Sequence, residues 1–152
     1  MNKIRKALIS VYDKKDLKPL VNTLSKFKIE IISSGGTYKE IRRLGFKCIE
    51  LSKFTNTPEI LNGRVKTLHP KIYGGILNKR QNKKHYKEIK LNNYENIDLV
   101  VANFYPFEDT LLNKANHNKV IENIDIGGPT MVRAAAKNYN DVVVICNPNQ
   151  YQ

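Results

Sequence analysis

Lys6-Ala7-Leu8-Ile9-Ser10-Val11, followed by Leu17, Leu20, Val21, Leu24 and Phe27 at helical spacing, is the stretch that decides the fold. Its unbroken, partly β-branched apolar run reads as a strand buried on both faces, the habit of parallel sheets. The stripe over 16–27 reads as an amphipathic helix returning across the sheet. The alternation then repeats. Residues 28–33 read as a second strand, 37–44 as a shorter helix stopped at Gly45, and 46–51 as a third strand. Residues 97–103 form the strongest strand and 141–146 the last, with helical signals over 79–91, 118–123 and 129–138. Residues 52–77 read as irregular, punctuated by Pro58, Gly63, Pro70, Gly74 and Gly75, yet too apolar for a linker. The pattern predicts an α/β fold, a doubly wound parallel sheet of about five strands with helices on both faces. Such sheets bind ligands at the carboxyl ends of their strands, so the informative residues should follow the strands.

At 152 residues the chain suits one domain. Its formal charge is +12, but 20 Lys, 18 Asn and only six Arg are spread along the whole length. That distribution reads as a compositional bias toward Lys and Asn rather than a nucleic-acid surface, which would cluster its charge and lean on Arg. Cys48 and Cys146 lie far apart with no CxxC spacing, so neither a disulfide framework nor a metal cluster is expected. No apolar run approaches the roughly 18–20 residues that span a bilayer. The basic start, Met1 to Lys6, leads into an apolar stretch broken at Asp13-Lys14-Lys15-Asp16, so no signal peptide is expected. The expectation is a soluble, cytoplasmic protein with no membrane partner.

Four clusters carry chemistry. Ser33-Ser34-Gly35-Gly36-Thr37 opens a helix, where glycines admit a close ligand and helix-start N–H groups attract an anion. The same residues also suit a plain strand-to-helix turn with a hydroxyl cap. Ser10 and Lys14 would reach the same rim. Asn62 to Lys71 packs Arg64, Lys66, Thr67 and His69 between Gly63 and Pro70; Val65 and Leu68 imply that this loop rests on the core. Alternation would aim Arg64 and Lys66 one way and Val65 the other, and a lone His69 is more often structural than catalytic. Asn103-Phe104-Tyr105-Pro106-Phe107 ends the strongest strand, where Tyr105 suits proton donation, stacking or core packing. Asp125-Ile126-Gly127-Gly128-Pro129 precedes a helix bearing Thr130, Arg133 and Lys137. Pro129 suits its first position, and Asp125 suits a cap.

Taken in order, these motifs resemble the IMP cyclohydrolase domain that forms the N-terminal part of bifunctional purine biosynthesis proteins, with AICAR formyltransferase as the second part. The likeness covers Lys3 to Cys146, and Gly63–Leu77 and Ile124–Asn138 carry it most specifically. It implies a methylglyoxal synthase-like fold, a homodimer, and ring closure of 5-formamido-AICAR (FAICAR) to IMP without cofactor or metal. It implies that Lys14, Ser34, Gly35, Gly36 and Thr37, beside Ser10, hold the 5′-phosphate. Arg64, Val65 and Thr67, with Asn103 and Phe104, would line the base, and Ile126 and Gly127 would close the pocket. Lys66, Tyr105, Asp125 and Lys137 are the implied catalytic residues. Tyr12 departs from the family, which commonly carries a small residue there.

In this reaction the carboxamide nitrogen attacks the formyl carbon, an oxyanion develops on the formyl oxygen, and water is lost. Backbone donors near Arg64–Thr67 would stabilise that oxyanion, at roughly 3–4 kcal/mol per well-placed donor. Asp125, Tyr105 and Lys137 would move the protons. On a straight helix from Pro129, Lys137 lies about 12 Å along the axis, so its role rests on the resemblance alone. The resemblance also implies that 1–152 is C-terminally truncated and lacks the formyltransferase, leaving apolar surface exposed. Other readings stay open: a non-catalytic purine-nucleotide module of the same fold, another phosphate-substrate enzyme such as a methylglyoxal synthase, and a nucleic-acid binder.

Overall fold

A computed structural model describes residues 3–151, so Met1, Asn2 and Gln152 lie outside it. The strands are β1 (Lys6–Ser10), β2 (Glu30–Ser33), β3 (Ile49–Glu50), β4 (Leu99–Ala102) and β5 (Val143–Ile145). They form one sheet of order β3-β2-β1-β4-β5, and every pairing is parallel. The helices are α1 (Leu17–Lys26), α2 (Gly35–Arg43), α3 (Leu51–Thr55), α4 (Pro70–Leu77), α5 (Lys83–Leu91), α6 (Phe107–Leu112), α7 (His117–Glu122) and α8 (Gly127–Lys137).

Strand alternation sorts the apolar residues into two cores. Ala7, Ile9, Ile31, Leu99 and Val101 face α1 and α2, meeting Leu17, Leu20, Val21, Leu24 and Ile41. Leu8, Ile32, Val100 and Ala102 face the other way, onto Leu51 and Phe54 of α3, Ile72 and Ile76 of α4, and Met131, Ala134 and Ala135 of α8. The doubly wound sheet of five strands read from the sequence is therefore the observed architecture. Among the described residues no helix is long and apolar enough to cross a membrane.

Several boundaries differ from the sequence reading. The third strand shrinks to Ile49–Glu50, because Leu51 already begins α3 and buries itself in the core shared with α4 and α8, the one Ile49 also packs against. The stretch 52–77 is not irregular throughout: α4 occupies its end. Gly74 and Gly75 mislead there because they serve packing rather than breaking. A Cβ on Gly75 would stand 2.5 Å from the Glu95 carbonyl and 3.2 Å from Ile97, and one on Gly74 would stand 3.0 Å from the Tyr94 ring. His69 caps α4, its Nδ1 accepting from Lys71 N–H at 3.1 Å and its Nε2 lying 3.2 Å from Thr57 Oγ1. α5 starts at Lys83 because Asn82 caps it through Lys84 and His85 N–H. α2 and α8 begin two residues early, at Gly35 and Gly127, so Pro129 is the third helical residue rather than the first. α6 has no counterpart in the sequence reading.

Buried charge marks the other end of the sheet. The Lys6 ammonium pairs with Glu30 and, at 2.7 Å, with Glu95, and it lies 5.0 Å from the Phe54 ring centroid. Burial works to lower its pKa, but the two carboxylates outweigh that and raise it.

Cys48, just ahead of β3, is half-buried, and burial pushes its thiol from 9.0 up to about 12, with Arg42 opposing. The folded protein thus holds this proton more tightly than the unfolded chain does. The resulting stability is fully present below about pH 9 and is lost as pH climbs from there toward 12. At pH 8, iodoacetamide is expected to modify exposed Cys146 at least about tenfold faster than Cys48, measured by peptide mass spectrometry. Equal rates would contradict the burial of Cys48.

Candidate functional site

The chain leaves β1 toward the face covered by α1 and leaves β4 toward the face covered by α8. Their loops diverge and open a crevice at the carboxyl ends, as expected where strand order reverses. A cleft of about 500 Å³ lies there. Ser10, Val11, Tyr12 and Lys14 enter it from β1; Ser34, Gly36 and Thr37 from the β2–α2 turn; Asn103 and Tyr105 from β4. The α3–α4 connection adds Asn62, Gly63, Arg64, Lys66 and Thr67, and α7 with its following turn adds Ile121, Glu122, Ile124, Asp125, Ile126 and Gly127.

The first turn of α2 is the electrostatic centre. Ser34 stands at its N-cap in extended conformation, but its hydroxyl caps nothing. The first N–H groups of the helix therefore lack intrahelical partners and present partial positive charge. Two ammonium groups join them. A Cβ on Gly36 would stand 3.8 Å from Lys14 Nζ, and one on Gly35 would stand 3.2 Å from Lys66 Nζ. Gly35 adopts φ +54°, which a side chain would strain. Unfilled N–H groups flanked by two ammoniums fit an oxyanion such as a phosphate.

Two polar side chains hold the frame. Thr37 Oγ1 accepts from Val11 N–H at 3.2 Å and donates to the Val11 carbonyl at 2.8 Å, tying α2 to the end of β1. Asn103 Oδ1 accepts from Tyr12 and Asp13 N–H at 2.6 and 2.9 Å, while its Nδ2 donates to the Asp13 carbonyl at 2.8 Å. The Asn103 carbonyl oxygen is thus committed to the β1 loop.

The opposite wall depends on α8. Asp125 Oδ1 accepts from Gly128 N–H at 2.9 Å, an anion at a helix start where the macrodipole favours it. A Cβ on Gly127 would collide with Thr67 Oγ1, and one on Gly128 would stand 2.7 Å from Asp125 Oδ2 and 3.0 Å from Phe104. Thr67 is buried, whereas Leu68, expected to anchor the loop, stays exposed. Arg64 pairs with Glu122 across the cleft mouth, both side chains remaining exposed.

Four residues of the sequence-derived set do not line the cleft. Gly35 backs onto Lys66, Phe104 packs at Gly128, and Val65 is half-buried beside the lining pair Arg64 and Lys66. Lys137 ends α8 in an exposed position. Sequence reasoning missed Ile121, Glu122 and Ile124. Their signal is a pair of half-exposed isoleucines, Ile121 in a short helix and Ile124 just after it, with no core to bury them.

Strand order, crevice and cationic turn define a doubly wound α/β domain with an anion-suited cleft at its switch point. A family model, the MGS-like domain, matches residues 16–130, and the chain belongs to that family. Among curated relatives it is 54% identical over 147 residues to the bifunctional purine biosynthesis protein PurH of Prochlorococcus marinus (strain MIT 9301), covering 96% of this chain and 28% of that protein. It is 51% identical over 149 residues to PurH of Acetivibrio thermocellus, covering 97% of this chain and 29% of that protein. The chain thus spans less than a third of these relatives. The crystal structure of ForH superposes with TM-score 0.83 at 31% identity, covering 98% of this chain and 76% of that one.

The glycines of the α8 start give a direct test. Gly127→Ala should cost about 1–3 kcal/mol through overpacking against Thr67, lowering Tm by about 3–10 °C in thermal unfolding. Gly36→Ala should leave Tm unchanged or slightly raised, since its Cβ would meet only the Lys14 side chain at 3.8–3.9 Å. Equal losses for both would mean that the Thr67 contact does not set this wall.

Proposed function

We propose that this chain is an IMP cyclohydrolase domain of purine biosynthesis, closing FAICAR to IMP with loss of water. The observation that carries the reading is the convergence of Lys14 and Lys66 on the uncapped first turn of α2. Identity above 50% to PurH proteins supports a purine ribonucleotide as the phosphate's owner. In this reading the Ser34–Thr37 turn and Lys14 hold the 5′-phosphate, with Ser10 at the rim. The base lies toward Arg64, Thr67, Tyr105 and the Asp125–Gly127 turn.

The nucleophile and electrophile belong to one molecule, so holding them in attack geometry supplies much of the rate. A new C–N bond forms between the carboxamide nitrogen and the formyl carbon. The carboxamide nitrogen and the formamido nitrogen each give up one proton, and the formyl oxygen takes both. Its bond to carbon breaks as it departs as water, leaving that carbon doubly bonded to the former formamido nitrogen. Lys66, on its flexible stem between phosphate and base, stabilises charge on that oxygen. Tyr105 and Asp125 exchange the protons. The formyl transfer that makes FAICAR belongs to the part of the relatives that this chain does not span. The reading carries with it a homodimer in the cytoplasm.

A second reading, a purine-nucleotide-binding module without turnover, draws support from two placements. One oxygen of Asp125 already caps α8, and Lys137 lies outside the cleft lining.

Turnover of FAICAR, followed by ultraviolet absorbance, separates the two. For the enzyme, Lys66→Ala should lower kcat/KM at least about hundredfold, while Lys14→Ala should act mainly on KM. IMP that raises Tm in a chain without turnover would favour the module. Indifference to both IMP and Lys66→Ala would remove both readings.

A further inference from the structure

We propose that Tyr12 is a positioning residue whose ring holds the Tyr105 phenol on the wall of the cleft. The proposal deepens the cyclohydrolase reading and rests on it for the role of Tyr105. The two rings meet edge to face, with centroids 5.3 Å apart and planes at 68°, the arrangement that aromatic quadrupoles favour. Both line the cleft, and both stay open to solvent, 51% and 42% exposed. Core packing therefore does not account for the contact.

Tyr105 has little else to orient it. Its hydroxyl makes no hydrogen bond among the described residues, and Tyr12 is the one aromatic ring it meets there. Tyr12, by contrast, is fixed at both ends of its backbone. Its N–H donates to Asn103 Oδ1 at 2.6 Å, and its carbonyl accepts from Lys14 Nζ at 3.0 Å. Asn103 lies two residues before Tyr105, so a closed circuit runs from the β4 loop through the amide to Tyr12 and back through the rings. Lys14 joins the circuit from the side, bonding the Tyr12 carbonyl while its ammonium lies beside Gly36 of the α2 turn. A small residue at position 12 would keep the backbone half of the circuit and lose the ring half.

The test uses the full chain labelled with 3-fluorotyrosine, with the Tyr105 resonance assigned by its loss in Tyr105→Phe. Tyr12→Ser should shift or broaden that resonance, whereas Tyr12→Phe should leave it near its original position. In turnover, Tyr12→Ser should lower kcat about tenfold with KM and affinity for inorganic phosphate changed less than about twofold, and Tyr12→Phe should restore most of the lost kcat. Should Tyr12→Ser fold poorly, Tyr12→Leu, apolar but without a ring edge, replaces it and should disturb the resonance likewise. An unmoved Tyr105 resonance in the ringless variant overturns the proposal, as does Tyr12→Phe proving as disruptive as Tyr12→Ser. A resonance shifted by Tyr12→Ser, together with a wild-type chain that shows no turnover, would sink the cyclohydrolase reading and leave the positioning role standing.

Discussion

The hydrogen-bonded pairing of β1 with both β2 and β4 is the constraint on which the rest of the molecule depends. It puts residues 10 and 102 side by side at the carboxyl edge, and from there the chain departs to opposite faces of the sheet. The gap that results is lined by polar groups together with the half-exposed Ile121, Ile124 and Ile126, which do not fill it. Thr37 and Asn103 stop it from collapsing by bonding the β1 loop to its two neighbours. Loops far apart in sequence thereby become the walls of one crevice.

The molecule has two chemically distinct ends. At the carboxyl edge, ammonium groups lie beside unfilled helix N–H groups, an arrangement that is electrostatically incomplete without an anion. At the amino edge the two mostly buried cations among the described residues are answered within the chain: Lys6 by two glutamates, and Arg80 by Asp98 at 3.5 Å and by the carbonyls of Gly75, Asn78 and Ile97. A second hollow, lined by Lys6, Arg80 and Asp98 among others, exists at that edge, but its inner charges are already spent on one another. Unanswered charge, rather than hollow volume, distinguishes the candidate site.

The sheet was legible because buried parallel strands announce themselves as unbroken apolar runs, and β1 and β4 are such runs. The glycine turn at the cleft was legible for a related reason, since Gly35 and Gly36 sit where a strand meets a helix. What escaped were features whose cause lies in tertiary contact. Gly74 and Gly75 read as breaks although they are the close-packing face of α4 against Tyr94, Glu95 and Ile97. The lining from α7 and its following turn escaped because one isoleucine on a six-residue helix and another just beyond it give too short a pattern to assign a face. Asn103 and Thr37 were legible as cleft residues, but only coordinates show their polar atoms turned toward backbone. The edge contact of Tyr12 with Tyr105 joins residues 93 positions apart and leaves no local trace.

Gly127 and Gly128 set one dimension of the crevice by what they lack. The start of α8 approaches the Thr67 loop and Phe104 as closely as bare backbone permits. Evolution or design therefore has no atoms left to remove there, and any substitution adds bulk that drives the two walls apart. A variant accepting a larger guest is reachable by such additions, but one gripping a smaller guest would have to be built from the β1 or β4 side. The domain's capacity to change ligand size is, on this face, one-directional.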